Sequence, residues 1–190
     1  MSIRYVVVPG IGNSPPSHWQ SVWEQRLERV VRVEQAHWTI AVCDAWVSAF
    51  QRTLLASDGP KLVIGHSLGA LLPAEASPAL ASLGVIGAFL VSVPDVEGPA
   101  FPRSALKFRP APSSSLSVPS VLIASTNDPY SSLAHSERVA RQWGSELVCV
   151  GAKGHINTEP EVGAWAEGFE LLERFTQRLL SEPRRQVPGA

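Results

Sequence analysis

Apolar positions along the 190 residues follow two alternating rhythms. Short runs rich in β-branched residues read as buried strands: Ile3 to Val8, Leu62 to Gly65, Val85 to Val93, Val118 to Ser125 and Leu147 to Val150. A weaker strand is predicted near Val31 to Ala36. Between these runs the apolar residues recur at helical spacing. Trp19, Trp23, Leu27 and Val30 form one such set; Trp46, Phe50 and Leu54 form the next. Helices are also predicted from residue 68 to 76 and from 132 to 143, the latter stopped by Gly144 in a left-handed position. Trp165, Phe169, Leu172, Phe175 and Leu179 mark the last helix. Ser17-x-x-Gln20 and Thr158-x-x-Glu161 have the form of capping boxes opening the first and last of them.

Strands alternating with helices predict an α/β fold, a doubly wound parallel sheet of about six strands with helices on both faces. The length suits one domain over residues 1–181, with 182–190 as a Pro- and Gly-containing flexible tail. In sheets of this kind ligands bind where strands end at their carboxyl edge. The loops at those ends are therefore where chemistry is sought.

Composition narrows the field. Apolar residues make up 45% of the chain, which argues against disorder, and the formal net charge is -1 with no stripe of lysine or arginine. Nucleic acid and anionic membrane surfaces are not expected as main partners. No segment approaches the roughly 20 apolar residues that span a bilayer. The first apolar run breaks at Pro9-Gly10, too early for a secretory leader. The two cysteines, Cys43 and Cys149, lack metal-ligand spacing and read as buried thiols in a reducing compartment. A cytoplasmic protein without metal or cofactor is expected.

One strand end carries Gly65-His66-Ser67-Leu68-Gly69. A glycine-x-serine-x-glycine pattern arises by chance in about one chain in twenty of this length, so its setting decides. Here it follows a strand and opens a helix, as a nucleophile elbow does. The tight turn lifts the Ser67 hydroxyl above the sheet, and the Leu68 N–H points where an oxyanion would develop.

A serine hydroxyl needs a base. Of the five histidines, His66 reads as structural, His18 as a first-turn helix residue near the mouth, His37 as peripheral and His135 as a surface helix residue. His155 lies in 151-GAKGHIN-157, a glycine-flanked loop after the last strand that can return an imidazole to the elbow. An acid between Ser67 and His155 completes the chain order of hydrolases with this architecture. Asp128, in 125-STNDPYSS-132, is favoured over Asp95, and Glu97 ranks third; an Asx turn is the plainer role for Asp128. A second oxyanion donor is expected from 9-PGIGNSPPSHW-19, with Ile11 the first choice. That loop has no third glycine at the spacing a dinucleotide site requires, and Pro15-Pro16 fills the turn.

With these residues in view, the sequence resembles the small serine hydrolase family of the α/β-hydrolase fold that includes retinoblastoma-binding protein 9. The matching blocks are PGIGNSPPSHWQ, VIGHSLGA, ASTNDPY and WGSELVCVGAKGHIN. The resemblance implies Ser67, Asp128 and His155 as a catalytic triad. It also implies a compact α/β-hydrolase with strand order 2-1-3-4-5-6 and no large cap domain. Pro9-Gly10 stands where many such enzymes have His-Gly, which touches the oxyanion assignment alone. The expected reaction is acyl transfer from a small ester, amide or thioester to water. The alternative is a protein-interaction module that retains the scaffold. Phe101, Leu106 and Phe108, in the long 94–118 connection, are read either as a pocket wall or as a loop packed by its own hydrophobes.

Overall fold

The computed structural model describes residues 2–108, 115–158 and 162–181. In chain order the elements are β1 (Arg4–Val8), α1 (Trp19–Glu24), β2 (Val30–Arg32), β3 (Ala41–Val42), α2 (Cys43–Ala56), β4 (Lys61–His66) and α3 (Leu68–Glu75). There follow β5 (Val85–Val91), β6 (Ala105–Leu106), β7 (Ser120–Ala124), α4 (Leu133–Trp143), β8 (Glu146–Cys149) and α5 (Ala166–Ser181). Six strands form one sheet in the order β2-β1-β4-β5-β7-β8, every neighbouring pair parallel. Counted among themselves those six run 2-1-3-4-5-6, the order expected for the fold.

Period-two alternation along the strands builds two cores, one on each face. Val63, Ala88, Leu90, Leu122 and Ala124 point to one side, where Trp46, Phe50 and Leu54 of α2, the apolar residues of α3, and Val139 and Trp143 of α4 cover them. Leu62, Ile64, Phe89, Val91, Val121 and Ile123 point to the other, under Trp19 and Trp23 of α1 and Phe169, Leu172 and Phe175 of α5. Central strands buried on both faces read as continuous apolar runs, which is why they were visible in the sequence. Each large side chain so buried contributes about 1.5–3 kcal/mol.

The structure departs from the periodicity in instructive places. Helix α1 stops at Glu24, and Val30 belongs to β2. Ser17 is exposed; the N-cap is His18, whose Nδ1 accepts the Gln20 N–H at 3.1 Å. The capping box fails because the Gln20 side chain bonds elsewhere. Trp165 stands before α5 rather than in it, at φ 46°, with its ring packed over Gly168. Glu161 and the 182–190 tail lie outside the described residues. Cys149 is exposed at the end of edge strand β8, whereas Cys43 is buried.

A two-stranded parallel sheet, β3 with β6, was not legible in the sequence. It ties the long connection after β5 to the start of α2. Phe108 packs edge-on to Trp46 at 6.4 Å and contacts Phe101 at the same separation. The hydrophobes of that connection thus rest on the core, although Leu106 is 46% exposed. Among its described residues β6 is the one regular element.

The start of α3 approaches β1 so closely that a Cβ on Gly69 would lie 2.1 Å from the Val8 carbonyl oxygen. A Cβ on Gly87 in β5 would lie 2.5 Å from a terminal methyl of Leu179 in α5. Backbone cannot yield, whereas a leucine tip can. Gly69→Ala is therefore expected to cost roughly 4 kcal/mol or more, or to prevent folding, and Gly87→Ala about 1–2 kcal/mol. Urea unfolding measures both; equal midpoints would refute the close approach as the constraint at residue 69.

Candidate active site

Ser67 lies between β4 and α3 at φ 54°, ψ -126°, a conformation that costs about 1–3 kcal/mol for a residue with a side chain. Its neighbours hold it there. The Ser67 N–H donates to the Val91 carbonyl at 3.0 Å, and its own carbonyl accepts from Ala70 at 2.9 Å. Gly65 meets Ala70 so tightly that a Cβ would lie 2.7 Å from its Cα. Gly10, after β1, faces the serine itself: a Cβ there would stand 2.8 Å from the Ser67 Cβ. The loop after β1 and the Ser67 turn therefore share one small space. Ile11 and Leu68 flank it in the chain.

The loop after β8 brings His155 to the same point. Its Nε2 stands 2.9 Å from the Ser67 Oγ, and its Nδ1 stands 2.9 Å from each carboxylate oxygen of Asp128. All three are largely withdrawn from water: Ser67 is 9% exposed and the Asp128 side chain 2%. Asp128 also forms the Asx turn the sequence suggests, its Oδ1 accepting the Tyr130 N–H at 2.9 Å. The two roles coexist because a carboxylate oxygen has two lone pairs. An Nδ1 facing a carboxylate carries the proton, which leaves Nε2 as the acceptor facing the hydroxyl. The arrangement can move a proton between Ser67 and the imidazole.

The other histidines divide differently. His18 and His66 pack behind His155 with tilted rings, their centres 4.9 Å apart and 5.1 Å from His66 to His155. Burial, reinforced by Arg32 and His155, pushes the His18 imidazole down to about 4. Burial, with His18 and His155 adding, holds His66 well below the ordinary range. His37 is exposed. His135 is not the surface residue expected: it is 6% exposed on α4, its Nδ1 3.2 Å from Asp95. Burial lowers its pKa more than Asp95 raises it. Asp95 is thus engaged with a second histidine, and Glu97 lies on the exposed turn that follows. Among the described residues no cluster of three histidine, cysteine or carboxylate side chains is disposed to hold a metal ion.

Three supporting residues escaped the sequence reading. The buried Gln20 amide donates to the carbonyls of Val8 and Ile64 at 3.3 and 3.1 Å and accepts from Ser14, lacing β1 to β4 beneath the site. Ser125 accepts the Lys153 N–H at 2.9 Å, and Asn127 accepts that of Gly154 at 2.7 Å. These two bind the loop of the acid to the loop of the imidazole. Nothing in their local pattern distinguishes them from ordinary turn residues.

A parallel six-stranded sheet with a serine at the β4–α3 turn defines the protein as an α/β-hydrolase. The pattern of the serine hydrolase family matches residues 5–174, and the chain belongs to that family. A protein described as a YdeN-like hydrolase from Pectobacterium atrosepticum is 36% identical, with a TM-score of 0.83 over 94% of this chain and 92% of its own. The YdeN protein of B. subtilis is 17% identical, with a TM-score of 0.69 over 96% and 100%. Mouse alpha/beta hydrolase domain-containing protein 10 is 14% identical, with a TM-score of 0.66 over 93% and 88%. These last two show the fold alone. Among curated proteins none matches the chain.

The buried neutral histidines have a consequence for stability. His18 titrates at about 4 in the fold and near 6.5 once unfolded, and His66 and His135 are shifted in the same direction. Below about pH 6.5 the unfolded chain therefore binds more protons, so stability falls as pH falls. His18 alone accounts for a loss of about 3 kcal/mol between pH 6.5 and 4. Urea midpoints should drop across that window, and His18→Asn, which keeps an N-cap acceptor, should flatten the slope. An unchanged slope in that variant would remove His18 as a source.

Proposed function

We propose that the protein is an esterase-type serine hydrolase acting on small esters, with Ser67 as nucleophile, His155 as general base and acid, and Asp128 as the group that orients and stabilises the imidazole. The observation that carries this reading is the continuous hydrogen-bond chain Ser67–His155–Asp128, 2.9 Å at each link. His155 Nε2 takes the Ser67 proton as Oγ bonds to the substrate carbonyl carbon. The N–H groups of Leu68 and Ile11 receive the oxyanion; the first turn of a helix has donors without intrahelical acceptors. The tetrahedral species then collapses, the ester C–O bond breaks, and His155 gives its proton to the departing alkoxide. Water attacks the acyl-enzyme with the same help, releasing the acid and restoring Ser67.

Esters are favoured over amides because an alkoxide leaves more readily than an amine. The same chemistry extends to thioesters. The sparse, widely separated cysteines of the sequence fit work in a reducing compartment, the cytoplasm. Among the described residues no helix is long and apolar enough to cross a membrane. The blocks around Ser67, Asp128 and His155 also support kinship with the small hydrolases that include retinoblastoma-binding protein 9.

A fluorophosphonate probe should label the protein at Ser67, and a panel of short aryl esters, thioesters and aminoacyl amides should find the esters turned over fastest. Ser67→Ala should abolish labelling and lower kcat at least about 10³-fold, and Asp128→Asn, which favours the wrong tautomer of His155, by roughly 10³–10⁴-fold. A folded Ser67→Ala protein that labels and hydrolyses like its parent would sink the mechanism. A folded parent that the probe never labels would leave the interaction-module reading.

A further inference from the structure

The residue after His155 is in a conformation that needs an explanation. Ile156 is fully buried and β-branched, yet its φ is 47°. For such a residue the left-handed region is a strained outlier that persists only when its surroundings enforce it. Two consecutive carbonyls at this point are held by buried ring N–H groups from other elements. His66 Nε2 lies 3.0 Å from the His155 carbonyl oxygen, and Trp19 Nε1 donates to the Ile156 carbonyl at 2.8 Å. A carbonyl only accepts, so the His66 proton is on Nε2.

The two donors are themselves braced. His66 is at the end of β4, immediately before Ser67, and Trp19 opens α1. Their rings meet edge-on at 5.8 Å, with His18 packed against both at 4.9 and 5.3 Å. The dipeptide His66-Ser67 thus grips His155 twice, at its backbone through one residue and at its ring through the next.

We propose that His66 and Trp19 are positioning residues: their N–H groups clamp the His155–Ile156 backbone and so aim the imidazole at Ser67. The inference rests on the acyl-transfer reading for its kinetic consequence, but the geometry it claims can be read without turnover. An apolar side chain at residue 66 would leave the His155 carbonyl buried and unpaired. The strained Ile156 would then relax, carrying His155 with it. A displacement of about 1 Å at a reacting group costs on the order of 10²-fold in rate.

The test compares His66→Leu, His66→Gln and Trp19→Phe, each checked for folding by circular dichroism and thermal melting. Glutamine offers an amide N–H near the position of Nε2; phenylalanine keeps an aromatic ring but loses the indole donor and part of the ring volume. His66→Leu should lower kcat for an aryl acetate on the order of 10–100-fold with KM within about twofold. His66→Gln should recover most of that loss, and Trp19→Phe should show a smaller fall of the same kind. In the proton NMR spectrum the low-field Nδ1–H signal of His155 should shift or broaden in His66→Leu and return in His66→Gln. Folded His66→Leu and Trp19→Phe proteins with parental kcat and an unmoved signal would overturn the clamp. So would a glutamine variant as impaired as the leucine one. A parent that never turns over ester would overturn the acyl-transfer reading instead, while the NMR signal still decides the clamp.

Discussion

The contact between the first turn of α3 and the carbonyls of Val8 and Pro9 is the constraint on which the site depends. A helix can lie that close to a strand only if residue 69 has no side chain. Closeness there forces the chain to reverse within a single residue, and Ser67 takes the left-handed conformation that makes the reversal. The same approach brings Gly10 against the serine, so the loop after β1 is part of the turn's surroundings. Gln20 then closes the arrangement from below by bonding Val8 and Ile64, one residue on each of the two strands involved. Strain at one residue is thereby spread over β1, β4, α1 and α3, and no single element can relax it alone.

How much of this was legible follows from the range of each interaction. The strands of the sheet were visible because runs such as those holding Val63, Leu90 and Ile123 are apolar on both faces, a pattern local to each run. Ser67 was visible because its constraint is local too: glycines two residues either side of a serine, between a strand and a helix. His155 was suggested by chain order and loop composition, and Asp128 was the favoured acid among three; the structure brings His155 to Ser67 and Asp128 to His155. What was not legible depends on partners far away in sequence. The β3–β6 pair joins residues more than sixty positions apart, through elements two residues long. The capping box at Ser17 failed because Gln20 is drawn to carbonyls of β1 and β4. His135 was misread as a surface residue because the local pattern of α4 cannot report that Asp95 packs against it.

Histidine usage separates into one role that works with charge and several that exclude it. His155 faces the Asp128 carboxylate, whereas His18 and His66 form a buried layer of uncharged rings behind it. A cation in that layer would have little water to screen it and would repel the imidazolium that the proposed mechanism forms on His155. Keeping the layer neutral leaves Asp128 as the charged partner in hydrogen-bond contact with His155. Neutral imidazoles nevertheless keep an N–H and a lone pair, and both are used: His18 Nδ1 accepts from the start of α1, and His66 Nε2 donates to His155. An apolar layer would give the same electrostatics but would leave those backbone groups unpaired. Charged side chains would pair the groups but alter the field. Neutral histidine satisfies both demands, and the cost is acid lability, since each buried ring is a site where the unfolded chain takes up a proton more readily than the fold does.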